Sequence, residues 1–136
     1  MVEIDIRYDG DLHTTAVHGP SHTELATDAP KDNQGRGESF SPTDLVATAL
    51  GTCIATTMGI VARRDGISID GTQVRVGKHM VSDPRRRIGK LEVSLSMPAG
   101  LSPEQRTLLE HTARTCPVAE SLSPAIELPM AFHYPE

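Results

Sequence analysis

The chain has 136 residues, with 13 basic against 18 acidic side chains and a net charge of −5 with histidine neutral. That length builds one domain with its own core, without staples. An acidic chain with 3% aromatic residues and no Trp lacks the basic face and stacking rings of a nucleic-acid binder, and its two cysteines exclude a disulfide scaffold and a four-cysteine zinc site.

Met1 to Gly10 has neither a basic region nor an apolar run, so no secretory signal is expected. Val2, Ile4, Ile6 and Tyr8 alternate with Glu3, Asp5 and Arg7, the pattern of a half-buried strand. Asp9-Gly10-Asp11 signals a turn. Two more short strands follow, Leu12 to Val17 and His22 to Thr27, in an expected antiparallel meander. Residues 28–40, with Pro30, Gly35 and Gly37, read as a long loop, a length at which loops are usually functional or mobile.

Ser41-Pro42-Thr43-Asp44 is a helix start: a capping serine, proline at the first helical position and an acid at the third. The helix is expected from Pro42 to about Arg64, its basic end matching the negative pole of the dipole. Leu45 to Ala62 carries no charge and has the minimum length of a membrane span. Its four threonines and two glycines, and the absence of a second such segment, favour a buried helix and no membrane. Ile67 to Val81 reads as strand with a break at Asp70-Gly71. Ile88, Leu91, Val93, Leu95 and Met97 form another, alternating from Leu91. Ser102-Pro103-Glu104-Gln105 starts a second helix to about Thr115, with Leu108, Leu109 and Ala113 inward and Glu110 paired with Arg114. Pro117 breaks it. A helical turn from Pro117 to Leu122 and a last strand, Ala125 to Tyr134, complete a single domain over 1–136. The order βββ–α–ββ–α–β with mostly antiparallel neighbours is α+β.

Cys53 lies inside the buried helix, and Cys116 at the joint after the second helix. Buried helical cysteines are most often small hydrophobes. Two features favour chemistry. Cys116 precedes Pro117, so amides at the start of the next helical turn can favour a thiolate there. Both cysteines also sit on helices that share one small core, and separated thiols can act as an attacking and a resolving pair. No histidine shows metal-ligand spacing. His18 and His22 flank Gly19-Pro20, so no metal is expected. Asp44 reads first as the capping acid, and lies too far along the helix to touch Cys53 directly. Arg36 and Glu38 are loop charges that could fold back over the site. Arg85-Arg86-Arg87 reads as a solvated strand edge. Nucleotide-binding and GxSxG motifs are missing, and no cofactor is expected.

Ser41-Pro42-Thr43-Asp44-Leu45, Ala49-Leu50-Gly51-Thr52-Cys53 and Thr115-Cys116-Pro117-Val118 with Ser121-Leu122 resemble the OsmC/Ohr family, the osmotically inducible and organic-hydroperoxide-resistance proteins. The resemblance spans the chain. It implies an OsmC-like α+β fold, with antiparallel sheets wrapped around two long central helices in an intertwined homodimer. It also implies a cysteine-based thiol peroxidase acting on organic or lipid hydroperoxides in oxidative-stress defence. Cys53 attacks, Cys116 resolves, and a dithiol reductant, in one branch a lipoyl group, restores both. Active branches hold the thiolate with an arginine fixed by a glutamate ten residues before the cysteine. Here that position is Thr43. Asp44 in place of the glutamate and Arg36 in place of the arginine are the candidates. Lys78, Met80, Pro84 and Arg85 resemble an OsmC-like branch distinct from the hydroperoxide-resistance proteins. A cytoplasmic location is expected. The alternative is a non-catalytic stress protein of the same fold, holding a small hydrophobic or thiol ligand in the dimer groove. A third reading makes both cysteines packing residues alone.

Overall fold

The computed structural model describes residues 1–135. The chain divides into two compact units, residues 1–46 and residues 47 onward. The first contains the meander β1 (Ile4–Gly10), β2 (His13–His18) and β3 (Glu24–Asp28), an antiparallel sheet in the order β1-β2-β3. The β1–β2 turn is two residues long, and both take left-handed backbone, Asp11 at φ 55° and Leu12 at φ 64°. Positive φ at both positions follows the right-handed twist of the flanking strands. β1 is exposed along most of its length, Ile4, Ile6 and Tyr8 included, rather than half buried as the alternation suggests.

The segment between β3 and the first long helix is not an open loop. After a 3-10 turn (Lys31–Asn33) it folds back on Asp28, whose Oδ2 accepts the Arg36 N–H at 3.2 Å and the Glu38 N–H at 3.0 Å. Gly35 makes the return possible, because a Cβ there would sit 1.7 Å from the Ala29 carbonyl oxygen.

Helix α1 (Pro42–Arg64) starts as its sequence dictates. Ser41 Oγ accepts the Asp44 N–H at 3.1 Å, and Asp44 Oδ2 accepts the Ser41 N–H at 2.9 Å, a reciprocal capping box. By length and composition α1 could cross a membrane. Ala47, Leu50, Gly51, Ile54, Met58 and Ala62 form its buried face, as in a core helix. Gly51 allows close packing on the segment around Val76, since a Cβ there would lie 3.0 Å from Val76 Cγ2.

The second unit's sheet runs β4 (Gln73–Val81), β5 (Arg87–Ser96) and β6 (Met130–His133) in that order. Leu91, Val93 and Leu95 point inward with almost no exposure, each contributing about 2 kcal/mol by leaving water. β6 runs parallel to β5, the one departure from antiparallel pairing among the named strands. β4 starts later than expected, because residues 69–72 make a turn in which the Thr72 N–H and hydroxyl both donate to the Ile69 carbonyl. β6 is short because Pro129 has no N–H for the ladder, although Glu127 still bridges to Lys90.

Helix α2 (Pro103–Arg114) has a full capping box between Ser102 and Gln105. Leu109, Thr112 and Ala113 face inward, whereas Leu108, expected inward, is 37% exposed. The Arg114–Glu110 pair is present at 3.8 Å, and Glu110 also accepts the Tyr134 hydroxyl at 2.5 Å. Helix α3 (Pro117–Ser121) follows directly, with Cys116 as its cap.

Candidate active site

Cys53 and Cys116 are 63 residues apart in sequence, yet their sulfurs accept the backbone N–H groups of successive residues, Val118 and Ala119. α1 carries one thiol and the break at Pro117 carries the other, both within the second unit. Both are free thiols, Cys53 partly accessible and Cys116 fully buried.

Their surroundings differ. Cys53 Sγ accepts the Val118 backbone N–H at 3.5 Å and lies 3.7 Å from the Thr57 hydroxyl, one helical turn on. Burial alone pushes the Cys53 thiol up, but the Val118 amide, the Thr57 hydroxyl and the Cys116 thiol together hold it below the ordinary cysteine value. Cys116 Sγ accepts the Ala119 N–H at 3.5 Å, capping α3. Burial nevertheless raises its pKa, against the Ala119 amide, and the Cys53 sulfur adds to the rise. The sulfur that is easier to ionise is therefore also the more accessible one. That arrangement suits a nucleophile beside a reserve thiol.

The order Cys116-Pro117 in the sequence points to the helical-turn amides serving Cys116. The structure divides them, giving Val118 N–H to Cys53 and Ala119 N–H to Cys116. The lowering at Cys53 comes from hydrogen bonds, the Val118 amide first. Thr57 and Val118 were missed. Thr57 was visible as the residue four positions after Cys53 on one helix face, whereas an amide 65 residues away leaves no local signal.

The other two candidates lie in the first unit. Asp44 serves the α1 cap. Arg36 pairs with Asp11 through Nη2, and its Nη1 lies 3.6 Å from Glu38 Oε1.

The OsmC family profile, described as OsmC-like protein, matches residues 35–130, most of the chain. The chain belongs to the OsmC-like family. This OsmC-like protein also superposes on a crystallised protein of Psychrobacter arcticus 273-4 named for osmotic stress induction and a detoxification response. The identity is 44% and the TM-score 0.92, over 98% of this chain and 96% of that one. The OsmC-like protein of Mycoplasma pneumoniae is 15% identical at TM-score 0.83, covering 100% of this chain and 98% of its own. The organic hydroperoxide resistance protein OhrB of Bacillus subtilis is 15% identical at TM-score 0.72, with 97% of each chain covered. These two likenesses carry the fold. Comparison with curated proteins gives no match.

Proposed function

We propose that this OsmC-like protein is a stress-response thiol peroxidase that reduces organic or lipid hydroperoxides. The Cys53 thiolate attacks the outer peroxide oxygen. An S–O bond forms, the O–O bond breaks, and the departing alkoxide takes up a proton to leave as the alcohol. The Cys53 sulfenic acid then condenses with the Cys116 thiol, forming a disulfide and releasing water. An external dithiol reduces that disulfide by exchange and is itself oxidised. The observation that carries the reading is two free thiols whose sulfurs accept the amides of successive residues, Val118 and Ala119, Cys53 being the more accessible, with shifts that favour ionising Cys53 first. The names of the Psychrobacter and Bacillus relatives support the stress and hydroperoxide setting. We place the protein in the cytoplasm, where thiol reductants keep such a pair cycling, and as a homodimer.

The test is consumption of cumene hydroperoxide with dihydrolipoamide by wild type, Cys53→Ser and Cys116→Ser. Cys53→Ser should lose at least 100-fold in turnover. Cys116→Ser should give a single reaction at Cys53 without multiple turnover. Titration after one equivalent of peroxide should find two thiols lost per chain. Equal turnover in wild type and Cys53→Ser overturns the reading, and two thiols retained point instead to a ligand-binding role. With Thr43 where active branches carry glutamate, turnover is expected below that of the hydroperoxide-resistance branch.

A further inference from the structure

His13 opens β2, and its ring is held from one side. Nδ1 lies 2.6 Å from the Asp11 carbonyl oxygen, which can only accept, so Nδ1 carries the proton. Nε2 then faces two carboxylates, Glu38 Oε1 at 2.9 Å and Asp28 Oδ1 at 3.5 Å. Asp28 is 1% exposed. Its Oδ2 is saturated by the Arg36 and Glu38 amides, but its Oδ1 makes no hydrogen bond although aimed at the ring. A buried carboxylate oxygen without a donor is costly and calls for an explanation.

We propose that His13, Asp28 and Glu38 form a binding site for one divalent first-row transition-metal ion of the zinc class. One ligand atom from each of the three side chains lies within 4.8 Å of the other two. Tetrahedral ligands at bond lengths of about 2.1 Å stand about 3.4 Å apart. The His13–Asp28 separation of 3.5 Å already fits, and the His13–Glu38 separation of 2.9 Å needs only a small opening. Glu38 is half exposed and free to make it. The Nδ1–H bond to a backbone carbonyl is the outer support that orients a ligating imidazole and fixes its tautomer. Charge also matches. Asp11, Asp28 and Glu38 against Arg36 leave two negative charges around a neutral ring, which one divalent cation cancels. One imidazole with two carboxylates favours zinc and its neighbours over magnesium or calcium, which take oxygen donors alone. Three protein ligands leave a fourth position for water.

Binding replaces the proton that Nε2 otherwise donates to Glu38, so uptake releases that proton. The test is calorimetric titration of the chelator-treated Cys53→Ser/Cys116→Ser chain with Zn2+, where thiols cannot compete. One ion per chain is expected. His13→Gln and Glu38→Gln should each weaken binding at least tenfold. Both side chains are at the surface, so neither variant should unfold the chain as Asp28→Asn could. In the intact protein Co2+ should bind without a sulfur-to-cobalt charge-transfer band. Lack of saturable uptake, or equal affinity in both variants and their parent, overturns the proposal and leaves His13 as an ion-paired imidazolium alone. A cobalt–sulfur band that vanishes with the cysteines also overturns it, because the ion then sits on the thiols.

Discussion

The Thr57 hydroxyl stands 2.7 Å from the Cys53 carbonyl oxygen and 3.7 Å from the Cys53 sulfur. It has one proton for two acceptors. With the thiol neutral, that proton satisfies the carbonyl. With the thiolate formed, turning it toward sulfur stabilises the charge. Thr57→Val should therefore slow alkylation of Cys53 at neutral pH by about two- to fivefold, while leaving Cys116 unchanged. Iodoacetamide labelling followed by mass spectrometry across pH should give wild-type Cys53 a midpoint below that of an ordinary cysteine and Cys116 one above it. Coincident midpoints would refute the division of labour between the two sulfurs. At this scale the sequence displayed the two thiols and their motifs, but not their partners. The Val118 amide reaches Cys53 only through tertiary packing, and the Arg36 and Glu38 amides reach Asp28 only because Gly35 lets the chain double back.

Among the secondary-structure elements, α1 depends on its cap and on Gly51. Ser41→Ala removes the acceptor for the Asp44 N–H and should cost about 1 kcal/mol, read as a lower denaturant midpoint with unchanged slope. Gly51→Leu forces a side chain toward Val74 and Val76 and should cost about 1–3 kcal/mol. The contacts that join β2 to the segment after β3 depend on pH. His13 is raised from its ordinary 6.5, chiefly by the Asp11 carbonyl and then by Glu38. Its contribution is complete below that ordinary value and is lost as pH rises through the raised one. Asp28 is lowered from its ordinary 3.8, chiefly by the Glu38 amide. Its contribution is present above 3.8 and is lost as pH falls through the lowered value. In metal-free protein the cluster should stabilise most between about pH 4 and 6.5, and His13→Gln should flatten the alkaline side of the stability profile. Capping residues and periodicity revealed both long helices, because those signals are local. The parallel pairing of β6 was not legible, since the strand is four residues long and its partner is β5, more than thirty residues earlier. The buried face of α2 is Leu109, Thr112 and Ala113, so Leu108, expected inward, lies at its edge.

For the molecule as a whole, the row Ile4, Ile6 and Tyr8 is 56%, 69% and 64% exposed. Apolar rows of this kind on soluble proteins usually meet another surface. With the homodimer proposed above, light scattering should return twice the chain mass, and Ile6→Asp should return the chain mass. A wild-type protein at the chain mass would refute the dimer. A different consequence follows from Cys116 being both the resolving thiol of the proposed reaction and the residue that fastens the start of α3. Once its sulfur is tied to Cys53, the Ala119 amide loses its thiol acceptor and the Val118 amide loses its thiolate. In the proposed cycle the short helix is therefore unlatched when the disulfide forms. Hydrogen exchange at those two amides should quicken on oxidation and slow again on reduction, giving a reductant a local signpost that separates exhausted copies from ready ones.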